Sequence, residues 1–153
     1  MMDTGDFRFT INETSEADIS GHLLTCNDAF IPPLDQKVDI AAYARKIRAH
    51  AVTFEAWHEN RLIGLVAVYC NDPGNDKTAY ITNVSALAGF RGKGLASRLL
   101  SDGIRYARVH AFREICLDVN ARNREAVTLY KKFGFEVFEK KDDFYKMKLR
   151  LHE

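Results

Sequence analysis

The stretch GFRGKGLASRLL, residues 89–100, places three glycines and two arginines at the start of an apolar helical repeat. Glycines are poor helix formers, whereas Leu95, Leu99 and Leu100 recur at the spacing of a buried helix face. A loop of this kind at a helix start favours an anion. The first N–H groups of a helix have no partners inside it, and the helix dipole adds partial positive charge there. Glycine leaves no side chain to hold a phosphate away from those N–H groups. Arg91 and Lys93 add full charges, and Arg98 follows one turn on. A pyrophosphate suits such a cradle.

Two common phosphate loops do not match. A Walker A loop ends in Gly-Lys followed by Ser or Thr, and here Leu95 follows Gly94. The dinucleotide fingerprint G-x-G-x-x-G becomes G-x-G-x-x-S over Gly92–Ser97, with no acidic residue at a following strand tip placed for a ribose.

FRFTI (Phe7 to Ile11) alternates like a strand. Thr14 or Ser15 then offers a cap for a helix carrying Ile19, Leu23, Leu24 and Phe30 at rough helical spacing. Pro32 and Pro33 break that helix, and Asp39 caps a second one with Ile40, Tyr43, Ala44 and Ile47 on one face. The period then changes. AVTFEAWHEN and RLIGLVAVYC read as a hairpin turning near Glu59–Arg61. NDPGND (71–76) is a loop, and TAYITNVSAL is the strand that feeds the glycine loop. After the long helix, REICLDVN reads as a buried strand and ARNREAVTLYKKFG as a helix stopped by Gly134. FEVFEKK and FYKMKLRL close the chain as two strands. The order β-α-α-β-β-β-α-β-α-β-β predicts an α/β (α+β) fold. It implies a single mixed, mostly antiparallel sheet of about seven strands, flanked by about four helices.

The whole chain, 1–153, reads as one domain, with no linker, repeat or low-complexity tract. Lys+Arg 22 against Asp+Glu 21 gives a charge of +1, which argues against a general nucleic-acid or membrane-surface binder. No apolar run approaches the ~18–20 residues of a bilayer span. The N-terminus lacks the basic-then-apolar layout of a signal peptide, so a cytoplasmic protein is expected. Cys26, Cys70 and Cys116 are far apart and read as buried thiols. No Cys/His cluster suggests a metal site.

Two segments together carry a family resemblance. Arg91-x-x-Gly94-x-Ala96 resembles the [RQ]-x-x-G-x-[GA] acyl-CoA loop of the GNAT N-acetyltransferase superfamily. Downstream, NREAVTLYKKFGF resembles that family's N-x-x-A-x-x-L-Y-x-x-x-G-F segment, with Asn123, Ala126, Leu129, Tyr130, Gly134 and Phe135 in place. The resemblance implies the GNAT fold and acetyl-CoA as acetyl donor, with no metal. It implies that the pyrophosphate rests on the backbone of Arg91, Gly92, Lys93, Gly94, Leu95, Ala96 and Ser97. It implies that the pantetheine arm pairs with the strand end at Val84, Ser85 and Ala86, where a β-bulge at 84–87 splays the sheet. Tyr130 matches the tyrosine that donates a proton to the leaving thiolate, and Asn123 either bonds the cofactor or caps the last helix.

The base is less determined. TAYITNVSAL holds no carboxylate, whereas many members carry one there. Asp118 on the neighbouring strand is the first candidate, with Glu55, Tyr80, Asn83 and ordered water as other routes. None of the histidines (His22, His50, His58, His110, His152) is assigned a role. By the same resemblance the first two helices and their loop build the acceptor site, so Phe30 and Asn83 are substrate-binding candidates. A small-molecule amine such as an amino sugar is the first reading and a protein N-terminus or lysine the second. A non-catalytic acyl-CoA sensor or interaction module is the third. A homodimer is an open option.

Overall fold

A computed structural model describes residues 7–70 and 77–151. The NDPGND loop and His152 lie outside the described residues. The elements are β1 (Arg8–Ile11), α1 (Glu16–Cys26), α2 (Ile40–His50), β2 (Ala51–His58), β3 (Arg61–Tyr69), β4 (Thr78–Ala86), α3 (Leu95–Val109), β5 (Glu114–Asn120), α4 (Arg124–Lys132), β6 (Glu136–Lys141) and β7 (Phe144–Arg150). They form one sheet of seven strands in the order β1-β2-β3-β4-β5-β7-β6. Only the β4–β5 pair is parallel. The expected mixed, mostly antiparallel sheet with four helices is therefore present.

Local chemistry explains the element ends. Ser15 accepts from Asp18 N at the start of α1, and Asp39 accepts from Ala42 N at the start of α2. The β2–β3 hairpin turns on Glu59 (φ 51) and Asn60 (φ 65), the left-handed pair of a two-residue turn. Gly134 ends α4 at φ 98, beyond the reach of most L side chains.

The sheet is covered on both faces. Ile19 and Leu23 of α1 and Ile40, Ala44 and Ile47 of α2 pack with Leu62, Leu65 and Ala67 of β3. Leu95, Leu99, Leu100 and Ile104 of α3, with Val127 of α4, pack over Phe54, Val66 and Val68 and over Ile115 and Leu117. Doubly covered β2 and β3 are consequently almost unbroken apolar runs. Leu24 departs from its expected burial at 60% exposed. The buried face of α1 runs through Ile19, His22, Leu23 and Cys26, and Leu24 falls one step, roughly 100°, beyond Leu23.

What positions a site is the relation of β4 to β5. They pair only at Thr78, Ala79 and Tyr80, opposite Glu114, Ile115 and Cys116. Beyond Tyr80 the two strands separate, and β4 from Ile81 to Ala86 is paired with β3 alone. The bulge expected at 84–87 lies earlier. Ala67 opposes Asn83 and Val68 opposes Ile81, which leaves Thr82 as the extra residue. Tyr43 of α2 fixes it, with its hydroxyl 2.6 Å from Thr82 O and 2.8 Å from Thr82 Oγ1. The bulge is thus set by a tertiary contact rather than by a glycine.

Candidate active site

A cleft of about 670 Å³ opens where β4 has lost its partner. Val84, Ser85 and Ala86 form one wall. Arg91, Gly92, Gly94, Leu95, Ala96 and Ser97 form its phosphate-sized end, and Asn123, Ala126 and Leu129 of α4 form the opposite wall. Cys26 and Phe30 reach it from α1 and the segment that follows. Ten of the twelve residues expected to hold the cofactor therefore meet at one opening. The exposed side chain of Lys93 and buried Tyr130 do not line it.

The glycine end has the chemistry of an anion cradle. α1, α2 and α4 each have a side-chain cap, from Ser15, Asp39 and Asn123, whereas Gly94 offers none to α3. The N–H groups of the first turn of α3 therefore depend on a partner from outside the helix. Gly92 and Gly94 both sit at φ 77, and a Cβ added to either meets nothing within 4 Å. Glycine is required there by backbone conformation, and the space above it remains open to a ligand. Arg91 is exposed and reaches back toward Ala86 O, 3.4 Å from its Nε. Arg98 does not join the cradle. It pairs with Asp102 at 3.1 Å and stacks 4.0 Å above Phe9, on the far side of α3.

Asn123 both caps α4, with its Oδ1 3.2 Å from Ala126 N, and lines the cleft, so both uses foreseen for it are compatible. Tyr130 is 7% exposed and packs edge-on to Phe135 at 5.9 Å. Burial pushes its phenol well above the usual range, so it stays protonated as a hydrogen-bond donor.

A second cluster stands at the fork of the sheet. Tyr80, the last residue of β4 to pair with β5, donates from its hydroxyl to Oδ2 of Asp118 at 3.0 Å. Asp118 is exposed and opposes Lys146 of β7. Burial pushes the Tyr80 phenol up, and the neighbouring Asp118 charge adds to that. Tyr43 and Thr82 lie on this side of β4, and Lys37 from the α1–α2 segment sits 4.7 Å from the ring of Phe144 at the β6–β7 turn.

Glu55 and Asn83 are both buried and hydrogen-bonded within the protein. Glu55 is fully buried two strands from the fork, and accepts from Thr10 and Thr53 hydroxyls and from Glu13 and Thr14 N–H groups. It ties β1 and the start of α1 to β2. Asn83 is 4% exposed, with its Oδ1 2.7 Å from Ser85 Oγ.

Sequence reasoning missed His22. It lies in α1, is 4% exposed, and burial pushes its pKa down from 6.5 to about 4. A folded-state value below the unfolded one means that the unfolded chain binds more protons between those values. The stabilisation is complete above pH 6.5 and is lost as pH falls toward 4. The expected loss is on the order of 3 kcal/mol from this residue. Urea midpoints at pH 7 and pH 4.5 measure it, and a His22→Gln variant should show a shallower acid slope.

Among the described residues, no helix is long and apolar enough to cross a membrane. The thiol of Cys26 is buried and those of Cys70 and Cys116 half-buried.

Comparison with known proteins agrees with this geometry. The model of the acetyltransferase (GNAT) family matches residues 21–135. N-alpha-acetyltransferase 50 of Danio rerio is 30% identical over 92 residues, 60% of this chain and 55% of that protein. Mycothiol acetyltransferase of Corynebacterium glutamicum is 32% identical over 83 residues, 54% of this chain and 27% of that protein. The chain spans about half the length of the first of these relatives, or less. The structure of yncA from Salmonella typhimurium with its cofactor acetyl-CoA shares the fold, with a TM-score of 0.72 over 95% of each chain at 20% identity. The chain belongs to the GNAT acetyltransferase family.

Proposed function

We propose that the protein is an N-acetyltransferase that transfers acetyl from acetyl-CoA directly to a primary amine within a ternary complex. The observation that carries the reading is the uncapped start of α3 above Gly92 and Gly94, continuous with the unpaired edge of β4. Acetyl-CoA supplies an acetyl group activated as a thioester. The backbone of Arg91–Ser97, with Lys93 adding charge, holds its pyrophosphate, and Val84, Ser85 and Ala86 offer a strand edge to its arm.

The residues at the fork manage protons. An amine attacks only when neutral, so the proton of an arriving ammonium passes to Asp118, directly or through the Tyr80 hydroxyl. Exposed Asp118 returns it to solvent, and the second proton that the nitrogen gives up as the amide forms goes to the departing thiolate. In the role that the family resemblance implies, the Tyr130 hydroxyl donates a hydrogen bond to the sulfur as negative charge develops there, from a buried position beside the cleft rather than on its wall. Its raised pKa lies above the ~8.5 of a free thiol, so stabilisation by the hydrogen bond is favoured over complete proton transfer.

For the acceptor, a small-molecule amine is the first reading. The Lys37–Phe144 contact joins the α1–α2 segment to the start of β7. A protein N-terminus is the second reading, supported by the match to the Danio rerio N-alpha-acetyltransferase. Release of free thiol over a panel of amino sugars, diamines and short peptides with free N-termini tests both. The first reading expects turnover with small amines. Turnover confined to peptides replaces it with the second, and binding of acetyl-CoA without turnover on any amine leaves only an acyl-CoA-binding module.

A further inference from the structure

One buried polar chain is not used by the chemistry above. Nδ1 of His22 lies 3.1 Å from the carbonyl oxygen of Leu62. A carbonyl only accepts, so the ring proton is on Nδ1, and the neutral ring presents a bare Nε2. Two groups of the cleft wall converge on that nitrogen, Ser85 Oγ at 2.9 Å and Cys26 Sγ at 3.8 Å. Burial pushes the Cys26 thiol up to about 11, so it is protonated and can donate.

Ser85 has a single proton and two acceptors, His22 Nε2 and Asn83 Oδ1. When it donates to Asn83, the Cys26 thiol still serves Nε2, so neither arrangement leaves the buried nitrogen without a donor. The chain runs from α1 through His22 to β4, and it meets β4 within Ile81–Ala86, the part that β5 has released. His22 thus links α1 and Leu62 of β3 to this part of β4.

We infer that His22 is a positioning residue for the acetyl donor. Its Nε2 fixes Ser85 and Cys26, and with them the strand edge that the arm of acetyl-CoA meets. The inference rests on the reading of the cleft as the acetyl-CoA site.

The two ring nitrogens can be tested apart. Asn in place of His22 keeps a donor near Nδ1 for Leu62 and removes the acceptor at Nε2. Gln reaches the Nε2 position and gives up the Leu62 contact. Each variant is assayed for acetyl-CoA Kd by calorimetry, for KM and kcat by thiol release, and for thermal midpoint. His22→Asn is expected to raise Kd and KM about tenfold, the upper range for one lost hydrogen bond, with kcat within about twofold. His22→Gln should restore Kd to within about threefold of wild type, even with a lower thermal midpoint. Ser85→Ala should match His22→Asn, and the double variant should be no worse than either single one.

Equal loss in His22→Asn and His22→Gln, or additive losses in the double variant, would overturn the inference and leave His22 a packing residue. If His22→Asn fails to fold, Ser85→Ala decides, because an unchanged Kd there contradicts the role of the chain. Failure of the wild-type protein to bind acetyl-CoA would instead overturn the cofactor reading itself.

Discussion

Gly94→Val is expected to raise the Kd for acetyl-CoA at least about a hundredfold while the chain still folds. Gly94 is the last residue before α3, at φ 77, and an added Cβ meets no protein atom within 4 Å. The folded state therefore bears mainly the backbone strain of a side chain in the left-handed region, roughly 1–2 kcal/mol. For a chain of this size that lowers the thermal midpoint by roughly 2–8 °C. The consequence for binding is larger. A branched side chain stands over the N–H groups of Leu95, Ala96 and Ser97, where the pyrophosphate is to lie. Hydrogen bonds to a charged group contribute about 1.5–3 kcal/mol each, so losing two of them costs a hundredfold or more. Calorimetric titration with acetyl-CoA, beside a melting curve, separates the two effects. A Kd within threefold of wild type would move the phosphate away from this loop.

Asp118→Asn has the next largest effect, on rate rather than affinity. Loss of a general base typically costs about 10²–10⁴ in rate. Without it the amine must arrive already neutral. The rate should then keep rising with pH toward the amine's own pKa, about 8 for an α-amino group and about 10.4 for a lysine-like amine. At high pH the variant should recover much of its deficit, and acetyl-CoA KM should stay near wild type. Tyr80→Phe should give a weaker form of the same profile, because its hydroxyl meets Asp118 at the fork. Tyr130→Phe should lower kcat without altering the acid side of the profile, since the role proposed for Tyr130 is at the sulfur. A pH–rate profile for Asp118→Asn that overlays wild type would remove Asp118 from the proton route.

The elements were legible because their signals are local. Ser15, Asp39 and Asn123 cap helices within three residues of their own position. Gly94 and Gly134 mark a helix start and a helix end through positive φ. The two apolar strands of the β2–β3 hairpin announce themselves through composition. The glycine loop was legible for the same reason, since the loop and its helix are contiguous.

The rest of the site depends on residues far apart in the chain. The bulge at Thr82 is fixed by Tyr43, 39 positions away, and nothing in TAYITNVSAL marks it. His22 meets Ser85 across 63 positions and Leu62 across 40. In the sequence, His22 is merely one more residue of a helix. Glu55 alternates as a strand carboxylate, yet donors from β1 and the start of α1 close around it. Arg98 sits one turn beyond the loop in sequence, but Asp102 and Phe9 draw its side chain to the other side of α3. Spacing along a chain locates a side chain on a helix face, and only the packed neighbours decide what it touches.

Direct titration of the wild-type protein with acetyl-CoA is the plainest test of the whole account. One molecule should bind per chain, with a Kd in the micromolar range common for enzyme substrates, on the order of 1 μM to 1 mM. Gly94→Val should abolish the heat of that binding. No binding at millimolar acetyl-CoA, or equal binding by wild type and Gly94→Val, would contradict the assignment of this cleft to acetyl-CoA.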